Sequence, residues 1–181
     1  HEGGASFMAV ADAKMTGKTG VVLVSRGPGA TNGSIGIHVS QQDAVPVIMF
    51  VGQVAREDLG RNAFQELNYT KTFSDMAKWV VEITEADKVA EDVRRAFTIA
   101  QSGVPGPVIV SLPEDMLIDQ TEALPLSPAT ISQPKPDSED IIKVCEMLSQ
   151  SERPLIIAGG QIGGKLGREA LRMVSETWNV P

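Results

Sequence analysis

The chain has 181 residues, 42% of them hydrophobic, enough to bury a core for one domain plus part of another. Its formal net charge is −7, and it holds neither a basic run nor interleaved aromatic and basic residues, so nucleic acid and anionic membrane are excluded as partners. A single cysteine, Cys145, excludes an internal disulfide framework and fits a reducing, cytoplasmic compartment, and no apolar run approaches the roughly 18 residues of a membrane span.

Ala5–Met15 places Phe7, Met8, Ala11 and Met15 at helical spacing, and Gly17 is the expected C-terminal cap. Val21–Val24 is a continuous apolar run, as expected of a strand buried on both faces. It leads through Arg26–Asn32 to a helix predicted over Ala30–Gln42, and Val45–Val51 is the next strand, ended by Gly52. Phe64–Met76 reads as mainly helical and Trp79–Ile83 as a strand. Asp87–Gln101 is an amphipathic helix with Val89, Val93, Phe97 and Ala100 on one face, and Pro107–Leu112 is a strand closed by Pro113. Apolar strands alternating with helices predict an α/β fold, a parallel sheet flanked by helices in the doubly wound manner.

The texture then changes. Leu124–Pro136 carries Pro125, Pro128, Pro134 and Pro136 among polar spacers and reads as a surface linker. Beyond it, Asp137 or Ser138 caps a helix predicted to reach Gln150. Pro154–Ala158 reads as a strand, Gly159–Gly164 as a turn and Leu166–Thr177 as a helix, the start of a second α/β unit that is not finished. Cys145, in this part of the chain, is expected to fill core rather than act as a nucleophile. The chain begins at His1 and stops at Pro181, so either a removed segment precedes it or it is a piece of a longer polypeptide, with His1 expected to be unordered.

Three motifs merit a chemical reading. Gly27-Pro28-Gly29 lies between a strand and a helix start, where backbone amides approach an anion. As a dinucleotide fingerprint it fails: Asn32 occupies the third glycine position, and no acidic residue lies about 20 positions on. Gly159, Gly164 and Lys165 match the spacing of a phosphate-cradling loop, but Leu166 stands where a magnesium-binding hydroxyl is needed. Glu2, taken alone, is an ordinary charged residue before a helix. No cysteine–histidine cluster has metal-ligand spacing, so no metal ligand is assigned.

Taken in order, the motifs resemble a family. His1–Ala5, Thr16-Gly17-Lys18, Val21–Val24 and Gly27–Asn32 look like the pyrimidine-binding domain of the acetolactate synthases, catalytic-subunit type, and their thiamine-diphosphate-dependent relatives. Asp43–Pro46, Gly52-Gln53-Val54, Phe64-Gln65-Glu66, Pro105–Val108 and Leu112–Asp115 keep the family order, and Arg153–Gly160 resembles the opening of the central domain. The resemblance implies a pyrimidine-binding domain over residues 1–122 lacking its first strand–helix–strand, a linker over 123–136, and an incomplete central domain over 137–181.

The resemblance also implies roles. The glutamate equivalent to Glu2 hydrogen-bonds the cofactor's aminopyrimidine ring and favours the imino tautomer, whose nitrogen takes the proton from the thiazolium carbon; a carboxyl held against a ring nitrogen is suited to this. Gly27, Pro28, Gly29 and Asn32 would shape the turn beside the pyrimidine, and Gln65 would face the substrate. The implied reaction is decarboxylation of a 2-keto acid with transfer or release of the acyl or aldehyde unit. Magnesium would be held with the diphosphate by a domain absent here, flavin (FAD) stays open, and a homodimer or tetramer is implied. Glu114 stands where the synthases usually have lysine, and Gly3 replaces the common glutamine, so the exact reaction stays open. On this reading the chain alone is inactive. A non-catalytic or regulatory module of this fold is one alternative, and a nucleotide-binding protein using Gly159–Lys165 another.

Overall fold

The computed structural model describes every residue but Gln133, which falls within the expected linker and lies outside the described residues. The chain forms two compact units, the first His1–Ser132 and the second the remainder to Pro181.

The first unit is built on a four-stranded sheet: β1 (Gly20–Val24), β2 (Val47–Gln53), β3 (Trp79–Glu82) and β4 (Pro107–Pro113), all parallel, in the order β1-β2-β4-β3. Its register aligns Val22 with Met49, Met49 with Ile109, and Ile109 with Val80. Side chains alternate across the sheet, so each central strand feeds two cores. Val22, Val47, Met49, Val51 and Ile109 pack with α1 (Glu2–Thr16), α2 (Pro28–Gln42) and α3 (Tyr69–Phe73). Ile48, Val108 and Val110 pack on the other face with Ala96 and Ala100 of α4 (Val89–Gln101). That is why the runs are apolar without interruption in β2 and β4. In β1, at the sheet edge, Val22 is buried while Val21 and Leu23 are exposed, Leu23 by 72%.

Helix α1 begins three residues before the predicted start. His1, expected to be unordered, is its N-cap, with Nδ1 accepting from the Gly3 amide at 3.2 Å. Gly17 ends it in the left-handed conformation at φ 71°, its N–H returning to the Ala13 carbonyl. Helices α1 and α2 approach closely at Gly36, where a methyl group would stand 2.4 Å from Ser6 Oγ and 2.7 Å from its carbonyl carbon. Ser6 itself is fully buried and donates to the Gly3 carbonyl at 2.9 Å.

One expectation needs correction here. Within Phe64–Met76 only Tyr69–Phe73 is helical: Gln65 sits at φ 63°, outside helical space, and the helix starts at Asn68, whose side chain accepts from the Lys71 amide. On α4, as expected, Ala100 is buried with Ala96 against the sheet and Val89 and Phe97 pack against that core; Val89, Val93 and Phe97 also line a cavity of about 460 Å³ with Pro125, Leu126 and Pro128. Trp79 of β3 carries the Arg95 guanidinium over its ring, 4.7 Å from the centroid.

The second unit contains α5 (Ser138–Gln150), a short 3₁₀ turn at Gly160–Ile162 and α6 (Lys165–Trp178). Asp137 caps α5, accepting from the Glu139 amide at 2.8 Å. The strand expected at Pro154–Ala158 does not form. No other strand lies in this unit among the described residues to receive its backbone groups; Ile156 donates to the Pro181 carbonyl, and Ile157 is 90% exposed. Cys145 is half-buried on α5, a helix with no buried residue, and so does not fill a core.

The α1–α2 contact makes a testable demand. Gly36→Ala should destabilise the first unit by about 1–3 kcal/mol, because a new methyl meets backbone as well as a side chain. Urea unfolding of the intact protein would show this as a lower midpoint, with an unchanged midpoint counting against the packing described.

Candidate functional site

Glu2 opens α1 and Asn32 lies one turn into α2. The close helix crossing brings them together, and Asn32 Nδ2 donates to Glu2 Oε2 at 3.2 Å. Gly3 permits this, since a side chain there would press on the Asn32 carbonyl at 3.3 Å. Glu2 is half-buried, and its carboxyl is held below the usual range first by its own backbone N–H at the helix start and then by Asn32. It is therefore an ionised hydrogen-bond acceptor.

The second part of the site is the turn from β1 into α2. Gly27 has φ 48° and ψ −100°, Pro28 occupies the first helical turn, and the Thr31 N–H returns to the Gly27 carbonyl at 3.0 Å. Gly27 cannot carry a side chain: a methyl group would lie 2.5 Å from the Gln65 carbonyl oxygen. Gly29 is likewise closed in, with Ser25 Oγ 2.6 Å from where its methyl would stand. Both glycines are thus packed against neighbouring parts of the chain. The structure places Glu2 on Asn32 and Gln65 on Gly27, and α2 carries Pro28, Gly29 and Asn32 between them.

Several residues that hold this arrangement escaped the sequence reading. The Tyr69 hydroxyl accepts from the Gly27 amide at 3.0 Å and donates to the Gly52 carbonyl at 2.9 Å. Glu66 accepts from the Gly60 amide at 2.6 Å and the Ala63 amide at 3.0 Å, closing the loop that presents Gln65. Arg56 binds Asp115 through Nε at 2.7 Å and through its backbone N–H at 2.9 Å. Its Nη1 reaches the Thr84 carbonyl at 3.0 Å and Asp119 at 2.8 Å. This joins the loops after β2, β3 and β4, and the arginine holds Asp115 below its usual carboxylate range. Arg26, just before Gly27, pairs with Glu114 at 2.8 Å. Glu66, Glu114 and Asp115 fall within motifs that keep the family order, Glu114 as a departure from the family pattern, but the sequence assigned none of these residues a bracing role.

The second-unit glycine turn lacks what a phosphate cradle needs. No strand precedes it; Arg168 donates into the Gly163 carbonyl, and Lys165 is exposed beside Glu169 at 4.0 Å. Among the described residues no group of histidine, cysteine or carboxylate side chains is placed to hold a metal, and no helix is long and apolar enough to cross a membrane.

The Glu66 loop gives a prediction with a definite sign. Backbone N–H groups, Gly60 first and Ala63 second, lower the Glu66 carboxyl from its ordinary 4.5. A depressed carboxylate stabilises the fold above that ordinary value and loses its hold as pH falls through the lowered one. Glu66→Ala should make the exposed Arg61 a several-fold faster tryptic site near neutral pH. In the unaltered protein the loop should open to pepsin only beneath pH 4.5. Mass spectrometry of the fragments checks both, and equal cleavage of the two proteins by trypsin would dismiss the clamp.

Comparison with known proteins bears on the family and the fold. Residues 1–72 match the family "Thiamine pyrophosphate enzyme, N-terminal TPP binding domain". The whole chain aligns with the acetolactate synthase large subunit of Parasynechococcus marenigrum at 34% identity, covering 30% of that protein. It aligns with that of Lactococcus lactis at 34%, covering 32%. The chain therefore spans about a third of the length of the curated relatives it matches. The solved structure of the Rhodococcus jostii thiamine diphosphate-dependent 4-hydroxybenzoylformate decarboxylase superposes on the entire chain with a TM-score of 0.88 at 22% identity, over 35% of its own length; this shows the same fold. Over residues 1–72 the chain carries the N-terminal TPP binding domain of the thiamine pyrophosphate enzymes, and over its whole length it is similar to acetolactate synthase large subunits.

Proposed function

We propose that the protein carrying this chain decarboxylates a 2-keto acid and transfers or releases the resulting acyl or aldehyde unit, using thiamine diphosphate and magnesium. The observation that carries the reading is the ionised Glu2, held by Asn32 on the helix that follows the tightly packed Gly27 turn. These residues suit the aminopyrimidine end of that cofactor, a flat ring with a nitrogen that needs a carboxylate at close range. When bound, the cofactor supplies the carbanion chemistry.

Glu2 then has two tasks: to bind a ring nitrogen and to hold or return a proton there. Its lowered basicity leaves it ionised until a donor approaches, and the ring's arrival, by excluding water, would raise it towards a value that shares a proton. Gly27, Pro28 and Gly29 set the ring's place, Asn32 orients Glu2, and Gln65 faces the substrate. Magnesium and the diphosphate belong to a further domain, and the reading assigns no residue of this chain to a flavin. Active sites completed by a partner subunit's diphosphate domain imply at least a homodimer. The single cysteine supports a cytoplasmic location. We divide the chain into a pyrimidine-binding domain to residue 122, a linker and the start of a central domain from residue 137.

Two measurements test this. In the intact protein, Glu2→Gln should slow hydrogen–deuterium exchange at the thiazolium carbon by about 10²–10⁴-fold, the usual worth of positioned acid–base assistance. Exchange at the unaltered rate would remove Glu2 from the mechanism. The 181-residue chain by itself should bind thiamine diphosphate with magnesium no more tightly than about millimolar, because a diphosphate needs a cation or several aimed donors to offset its desolvation. A micromolar constant, or turnover of pyruvate, would place the diphosphate site within these residues.

A further inference from the structure

We propose that Tyr69 is a positioning residue of the cofactor site, its hydroxyl locking the Gly27 turn to the end of β2; this rests on the reading of that turn given above. The hydroxyl stands between two backbone groups that come from different loops. It accepts from the Gly27 N–H at 3.0 Å and donates to the Gly52 carbonyl at 2.9 Å, so it uses both its proton and a lone pair. Tyr69 is only 2% exposed, and Gly27 is also buried, so no solvent is at hand to replace the bond between them.

The turn requires such a tie. At φ 48° and ψ −100° Gly27 occupies a region open to glycine and closed to other residues, and glycine, having the most backbone freedom, is the residue least able to hold the turn by itself. On one side the Gln65 backbone closes over it; on the other its amide has the tyrosine. The ring is in turn seated. Tyr69 begins α3 directly after the Asn68 cap, and its ring lies 6.4 Å from that of the fully buried Phe73. Gln53, next to Gly52, donates to the Leu67 carbonyl at 3.0 Å and so ties β2 to the segment entering α3. Burial first, and Glu82 as well, push the phenol above its usual range, so the proton donated to Gly52 stays in place at neutral and mildly alkaline pH.

Glu2 acts on the ring that the turn seats, and Tyr69 acts on the turn. Loss of the hydroxyl should therefore change how readily the site accepts the cofactor, and leave the chemistry of a bound cofactor alone.

Tyr69→Phe keeps the ring and its packing on Phe73 and removes only the two bonds. In the intact protein without cofactor, deuterium uptake by a peptide covering residues 25–31 should rise, while uptake over β4 stays as it was. The dissociation constant for thiamine diphosphate, with magnesium present, should rise about tenfold, equal to about 1.4 kcal/mol. At saturating cofactor, kcat and the exchange rate at the thiazolium carbon should stay within about twofold, unlike Glu2→Gln, which should suppress exchange. Unchanged uptake over residues 25–31, or an unchanged dissociation constant, overturns the role of Tyr69. So does a loss of kcat at saturation equal to the loss of binding. Normal exchange in Glu2→Gln instead overturns the cofactor chemistry, and the uptake measurement still decides whether Tyr69 holds the turn.

Discussion

The arrangement depends on how closely α1 and α2 approach. Gly36 over Ser6 and Gly3 beside Asn32 bring the two backbones nearer than any side chain would permit, and the buried Ser6 turns its hydroxyl back onto α1 rather than leaving it unpaired. With the helices at that distance, the first residue of one reaches the first turns of the other. Glu2 consequently meets Asn32 across 30 positions of sequence without a loop of its own. A carboxylate at a helix start is already favoured by the unpaired amides there, so the packing that makes the core also makes an ionised acceptor.

The irregular segments at the carboxyl ends of the strands pose a different problem, because backbone that leaves the sheet while still half-buried must find partners. Three side chains supply them: Tyr69 for the Gly27 turn, Glu66 for residues 60–63, and Arg56 for the loops leading to Thr84 and Asp115. Each ties segments distant from one another or closes a loop on itself. The surface where parallel α/β sheets commonly receive ligands is therefore held from beneath, by groups that need never touch a ligand.

Much of this was legible in the sequence, for reasons that differ from residue to residue. Strands β2 and β4 declare themselves as apolar runs because the centre of the sheet is covered on both faces, whereas the run in β1 leaves Val21 and Leu23 exposed at the edge. The site residues Glu2, Gly27, Gly29 and Asn32 carry no signal singly, and it was their order along the chain that picked them out. Pro154–Ala158 misled because an apolar run states a preference, while a strand exists only with a neighbour to pair with. Phe64–Met76 misled because its conformation answers to Glu66 and to Gly27, not to its own periodicity. Tyr69 gave no sign at all: its contact with Gly27 spans 42 positions, and nothing local distinguishes a tyrosine that packs from one that also braces a turn.

The chain's two tryptophans fall one to each unit, Trp79 in β3 beneath the Arg95 guanidinium and Trp178 at the last position of α6. Intrinsic fluorescence thus contains two built-in reporters with different surroundings, one beneath an adjacent cation and the other half-buried at a helix end. Replacing either with phenylalanine leaves a single optical probe for one unit. If the two units melt as one body, the two transitions coincide; if they melt separately, the unmodified protein's fluorescence is a sum of two curves, and a single unfolding midpoint taken from it describes neither.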